Sequence, residues 1–320
     1  MEYRALGRTG LQVSALSLGA SGMGGVFGPR DEEESLRTVH AALDAGINYI
    51  DTSPYYGLTR SEQVVGKALE GHRHRVILST KTGRFGEREF DFSADRIRRE
   101  VEASLRRLRT ETVDILFAHD IEFGDPGQVL GEGIPTLFRL KEEGKTRFVG
   151  VSGLPLDVLD RAAREFPLDV ILSYCHYCLN DTSLEPYARR WREQGIGVIN
   201  ASPHAMGLLR RGEPPAWHPA PPELRAAARR AAELCASRGA DLARLALQFA
   251  YRAECVDTTL SGMSRRETLR RNLDALAAPV DEALLREVLR IFEPVHNLTW
   301  PSGNEEAWRA DPAGPHRGER

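Results

Sequence analysis

The chain has 320 residues, 41% of them hydrophobic and 28% charged, and a formal net charge of −3. The length suits one large α/β barrel, which commonly takes about 250 residues or more, and the apolar content is enough for a sizeable core. The small net charge gives no electrostatic footprint for nucleic acid or an acidic membrane, and no run approaches the roughly 18 apolar residues of a membrane span. The first ten residues, MEYRALGRTG, lack the apolar segment of a secretory leader. The four cysteines are therefore expected to be reduced thiols of a cytoplasmic protein.

Residues 3–13 contain the turn Arg8, Thr9, Gly10 and predict a hairpin over a barrel floor. Eight short apolar runs follow at 15–19, 49–52, 76–80, 113–119, 148–152, 170–174, 198–202 and 259–262. Short, almost wholly apolar runs are what parallel strands covered on both faces look like. Amphipathic helices are predicted between them at 31–45, 93–108, 135–143, 184–194, 241–251 and 264–277, several beginning at Asp or Ser and ending at a glycine. The Pro-rich stretch 212–222 predicts a long loop, and 311–320 a frayed tail. No linker divides the chain, so residues 1–320 are expected to form one (β/α)8 TIM barrel with an N-terminal hairpin and long loops on its C-terminal face. The competing architecture is a doubly wound sheet with a dinucleotide site at 22-GMGGVFG-28. That stretch fails the G-x-G-x-x-G pattern, because the third glycine position is Phe27.

The C-terminal ends of barrel strands share one rim. Asp51 stands at the end of the second run, Lys81 directly after the third and His119 at the end of the fourth, followed by Asp120. Three ionisable groups from adjacent strands thus converge below the loop that carries Tyr55 and Tyr56. A free phenol has a pKa of about 10, and a neighbouring ammonium lowers it. Lys81 can supply that charge, Asp51 can balance it, and a neutral His119 can donate to a substrate oxygen. Such a site moves a proton beside a polarised C–O bond and needs a hydride partner. The runs ending at Ser202 and Gly262 form a Ser/Gly-rich rim, and 261-SGMS-264 enters a helix whose N-terminus favours anions, so a dinucleotide pyrophosphate is expected there.

On 46-GINYIDTSPYYG-57, 61-SEQVVGKAL-69, 79-STKTG-83, 113-VDILFAHD-120, 144-GKTRFVGVSG-153 and 262-GMSRRETLRRNL-273, the chain resembles the aldo-keto reductases along essentially its whole length. The resemblance implies a (β/α)8 barrel and zinc-free hydride transfer with NAD(P). It implies a catalytic tetrad of Asp51, Tyr56, Lys81 and His119, the tyrosine falling five residues after the aspartate. Tyr55 lies outside that pattern, as a packing or a substrate-wall residue. For the cofactor, the resemblance points to Asp51, to Ser152 and Tyr174, and to Ser202, Pro203, His204 and Met206. It adds Gly262, Met263 and Ser264, then Thr268, Arg271 and Asn272 along the adenosine. Gly153 departs from the usual asparagine, Tyr174 from a glutamine and Ala201 from a stacking tyrosine. Thr268 replaces an arginine common in NADP users, which favours NAD, although Arg265, Arg266, Arg270 and Arg271 leave NADP possible.

A narrower likeness, carried by 169-DVILSYCHYCLND-181, 200-NASPHAMGLL-209 and 297-NLTWPSG-303, is to the sugar 1-dehydrogenase branch of that family. It implies oxidation of an anomeric C1 hydroxyl to a lactone. The alternatives are an NADPH-dependent aldehyde or ketone reductase and a non-catalytic NAD(P)-binding subunit. Asp120 and Glu122 are candidates for sugar hydroxyls, and Phe27, Trp217 and Trp300 for apolar walls. The expected partner is a small sugar, with no nucleic acid and no membrane, on a monomer or weak homo-oligomer. The lone pair Cys175 and Cys178 is too sparse for a metal site, so no metal is expected.

Overall fold

The structure is a computed structural model and describes residues 1–25 and 31–310. Eight parallel strands close into a barrel: β3 (Leu16–Gly19), β4 (Tyr49–Asp51), β5 (Ile77–Thr82), β6 (Val113–Ala118), β7 (Thr146–Gly153), β8 (Val170–Tyr174), β9 (Gly197–Ala201) and β10 (Thr258–Gly262), which pairs back onto β3. Every predicted run is a strand, with boundaries shifted by at most two residues. The expectations for Phe27 and for 311–320 fall outside the described residues.

The hairpin joins β1 (Tyr3–Ala5) to β2 (Gln12–Ser14), with Tyr3 opposite Ser14. Leu6, Leu11 and Val13 enter the cluster of inward-facing barrel residues that includes Tyr49, Ile115, Phe117 and Leu172. One end of the barrel is therefore a filled core, and polar chemistry is confined to the other. A second apolar layer, from Leu16 and Leu18 through Val149 and Trp191, lies between the strands and the outer helices.

The capping expectations held at Asp31, whose side chain accepts from the Glu34 amide, and at Asp241, which accepts from Ala243, while Ser93 stands at the N-cap position of its helix without accepting a cap bond. At 264 they did not. The helix Arg266–Ala277 begins two residues late, and its first amide donates to the Glu34 carboxylate (2.9 Å), which also grips the Arg266 guanidinium. The anion at this helix start is thus a side chain of the protein itself, and the partnership holds Glu34 down at about 2. The predicted loop over 212–222 runs into a further helix, Pro222–Ser237.

The glycine-rich segment after β3 has a steric explanation. A Cβ on Gly24 would stand 2.5 Å from the Tyr56 carbonyl oxygen, and one on Gly57, at φ +62°, would stand 1.9 Å from the Gly24 oxygen. These glycines let the β3 loop lie backbone to backbone against the turn bearing Tyr56, which is not a phosphate-cradling role.

Candidate active site

A cavity of about 1040 Å³ opens at the C-terminal rim and is lined by Asp51, Tyr55, Tyr56, Lys81, Arg84, His119 and Asp120 among others. The register explains the gathering. Asp51 pairs with Ser79 on β5, and Lys81, two residues on, projects from the same face of that strand. Asp51 and Lys81 are each 1% exposed and form a buried ion pair. The ammonium also donates to the Thr52 carbonyl (2.9 Å), and the second Asp51 oxygen accepts from Ser79 (2.7 Å). Burial lowers the Lys81 ammonium, an effect that Asp51 opposes.

The Lys81 nitrogen lies 4.7 Å from the centroid of the Tyr56 ring. The expected lowering of the phenol does not result. Burial first, then the charges of Asp51 and Asp120, hold Tyr56 well above the usual tyrosine range, with Arg84 acting in the opposite direction. The ammonium is already engaged by Asp51, so the carboxylate field reaches the phenol as well. His119 meets Tyr56 edge-on, with ring centroids 5.7 Å apart. Burial and the cations Lys81 and Arg84 push its pKa well below the ordinary value, so the ring is neutral as expected. Its Nδ1 lies 3.0 Å from the Ser53 hydroxyl and its Nε2 3.6 Å from a carboxylate oxygen of Asp120.

Arg84 was missed in the sequence, although it follows Lys81 by three residues, just past the end of β5. It pairs with Asp120, and its guanidinium lies over the rings of Tyr55 (3.9 Å), Phe123 (5.1 Å) and Phe90 (5.2 Å). Tyr55 therefore both packs and lines the cavity. Asp120 takes φ +49° to turn its carboxylate toward this cluster.

Glu122 corrects the expectation that it meets sugar hydroxyls. It is fully buried and absent from the cavity wall. One carboxyl oxygen accepts from the Leu154 amide and the Ser302 hydroxyl (3.0 Å each) and from Tyr174 (3.5 Å), clamping the 300–303 segment to the end of β7. Gly153 leaves room for this carboxyl, since a Cβ there would sit 2.5 Å from its other oxygen. Trp300 is buried on the cavity wall with its edge toward His218, and Trp217 is 55% exposed at the rim.

A second cavity of about 1010 Å³ shares Ser21, Ser202, Met206 and Trp217 with the first. Its wall includes Pro203, His204, Gly262, Thr268, Arg271 and Asn272, which the resemblance assigns to the cofactor, together with Arg210, Arg211 and Arg244. Ser152 and Tyr174 lie on the first cavity. Two expected residues are off both walls: Met263 is fully buried in the core, and Ser264 packs against Gly22. Among the described residues, no three His, Cys, Asp or Glu side chains are placed to hold a metal, and no helix is long and apolar enough to cross a membrane.

The profile of the aldo/keto reductase family matches residues 15–291. An L-galactose dehydrogenase from Arabidopsis thaliana is 48% identical, over 95% of this chain and 98% of that protein. A D-threo-aldose 1-dehydrogenase from a Pseudomonas species is 30% identical, over 89% of this chain and 95% of that protein. Among solved structures, a holo-form aldo-keto reductase from Bacillus halodurans superposes with a TM-score of 0.76 at 29% identity, covering 95% of this chain and 99% of that one. With a closed eight-stranded barrel, polar groups gathered at its C-terminal rim and relatives matched nearly end to end, the chain belongs to the aldo/keto reductase family of oxidoreductases.

Proposed function

We propose that this protein is an aldose 1-dehydrogenase that oxidises the anomeric hydroxyl of a sugar of the L-galactose type to a lactone, with NAD as the preferred acceptor. The observation that carries the proposal is the set Asp51, Tyr56, Lys81 and His119 on one cavity wall, the half-buried Tyr56 beside three buried partners, with the charged pair Asp120 and Arg84 next to it. The relatives that act on L-galactose and D-threo-aldoses supply the substrate class.

In this reaction His119 donates from Nε2 to the C1 oxygen, Tyr56 as the phenolate would accept the hydroxyl proton, and the C1 hydrogen would leave as hydride. Lys81, held by Asp51, keeps a positive charge under the phenol ring. Neighbouring sugar oxygens lie at hydrogen-bond spacing from one another. A C1 oxygen on His119 Nε2 therefore brings the neighbouring C2 hydroxyl within reach of Asp120, whose nearest oxygen is 3.6 Å from that nitrogen, and of its partner Arg84. A simple aldehyde offers nothing to that pair, which favours a polyol over the aldehyde reductase alternative.

A nicotinamide dinucleotide supplies the hydride acceptor. The two joined cavities fit an extended molecule, with Ser152 and Tyr174 on the first and Ser202, His204, Thr268, Arg271 and Asn272 on the second. Thr268 in place of an arginine and the Glu34 carboxylate at the start of the 266–277 helix favour NAD. Arg210, Arg211, Arg244 and Arg271 on the second wall are the observation that favours NADP.

The test is initial-rate cofactor reduction with L-galactose, L-fucose and D-arabinose, each with NAD and with NADP. No turnover of any of the three sugars would sink the proposal, as would far faster NADPH oxidation with simple carbonyls. Tyr56→Phe should lose at least about 100-fold in kcat with cofactor binding retained, while Tyr55→Phe keeps most of its rate.

A further inference from the structure

We propose that Ser53 is a positioning residue that fixes the tautomer of His119: its hydroxyl donates to Nδ1, so the proton sits on Nε2 and faces the substrate oxygen. The kinetic consequence rests on the cavity being the hydride-transfer site proposed above; the tautomer itself does not.

Ser53 is fully buried, in the same loop as Asp51 and Tyr56. Its Oγ lies 3.0 Å from Nδ1 of His119 and accepts from the Tyr55 amide at 3.1 Å. Its backbone carbonyl accepts from the Tyr56 amide at 3.1 Å, which closes the turn carrying both tyrosines. A hydroxyl has one proton and two lone pairs, and a neutral imidazole protonates only one nitrogen. The ring is neutral because burial, Lys81 and Arg84 all disfavour a second proton.

Two tautomers are therefore in competition. If Nδ1 carried the proton, Ser53 would accept twice, from Tyr55 and from His119. Its own proton would have no acceptor, since no third partner lies within hydrogen-bonding distance among the described residues. The Nε2 lone pair would also face an Asp120 oxygen at 3.6 Å. If Nε2 carries the proton, Ser53 accepts once and donates once, and the Nε2–H bond meets a carboxylate on one side and the cavity on the other. Both considerations select the second tautomer. The hydrogen-bond donor required of His119 is thus set by a serine two residues after Asp51 and three before Tyr56.

The test uses protein labelled with ¹⁵N-histidine and long-range ¹H–¹⁵N correlation, with the His119 signal identified by its loss in His119→Asn. The wild type should show the Nε2–H pattern. Ser53→Ala should shift it toward the other tautomer or an exchanging mixture, with kcat on the order of 10-fold lower and KM little changed. Ser53→Cys, a weak donor of similar size, should fall between. An Nδ1–H pattern in the wild type overturns the proposal, as does a Ser53→Ala protein with unchanged pattern and kcat. If Ser53→Ala fails to fold, the wild-type and Ser53→Cys spectra still decide. The spectra need no turnover, so an Nε2–H pattern in a protein inactive on sugars would refute the proposed function and leave the tautomer assignment standing.

Discussion

Replacing Glu122 with glutamine should stabilise the protein at neutral pH. The carboxyl is fully buried, one oxygen holds three donors, and the other has no partner among the described residues. Burial, reinforced by the charge on Asp120, raises it from the ordinary 4.5 to about 8. The folded state thus binds this proton more tightly than the unfolded chain does. Its contribution is fully present below pH 4.5 and is lost as pH rises through 8. At about 1.4 kcal/mol per pH unit, the 2.5 units between 4.5 and 7 amount to about 3 kcal/mol. Glutamine keeps the accepting oxygen and does not titrate. Thermal melts of both proteins from pH 4.5 to 8.5 should coincide at the acid end and separate by on the order of 5 °C at pH 7, the variant being higher. Parallel curves, or a less stable variant at pH 7, would refute this reasoning.

Asp51→Asn leaves the Lys81 ammonium buried without its counter-charge and should destabilise by about 3 kcal/mol or more in urea unfolding, with Lys81→Met in the same chain recovering part of the loss. An Asp51→Asn protein as stable as wild type would show that Lys81 is neutral in the fold. Gly57→Ala should cost about 2 kcal/mol or more and reduce kcat by displacing the Tyr56 turn, whereas Gly71→Ala, at φ +75° in open space, should cost about 1 kcal/mol and leave kcat unchanged. Equal melting temperatures for the two variants would count against the close contact between Gly24 and Gly57.

The barrel was legible because a parallel strand buried on both faces has only one composition available to it. The runs leading to Asp51, Lys81 and His119 therefore marked both the strands and the rim. What stayed hidden depends on contacts between separate loops. Arg84 and Asp120 leave different strands, and nothing in either local sequence states that they meet over Tyr55. Ser53 looks like an ordinary turn residue until His119 is placed 3.0 Å from it. Glu122 resembled a binding group because it follows His119, but the 300–303 segment closes over it. The helix Arg60–Ala68 escaped because it starts after Thr59 in a left-handed conformation without a side-chain cap, and because Gly66, which breaks its pattern, is needed where a Cβ would stand 2.1 Å from the Arg107 carbonyl oxygen.

The protonation pattern bears on the direction of the proposed chemistry. Lys81 looks from sequence like the group that ionises the tyrosine, yet in the fold it is committed to Asp51 and to the Thr52 carbonyl. The charges that reach Tyr56 most strongly are the carboxylates of Asp51 and Asp120, and both keep the phenol protonated. The protein's own groups therefore set the site as an acid, with a neutral His119 beside it as a second donor. Sugar oxidation needs the opposite at Tyr56, a phenol able to accept a proton. Oxidised nicotinamide carries a positive charge that reduced nicotinamide lacks, and a positive charge near the phenol favours the phenolate. Under the proposed function, Tyr56 would act as a base beside the charge of an oxidised nicotinamide and as an acid beside the reduced form.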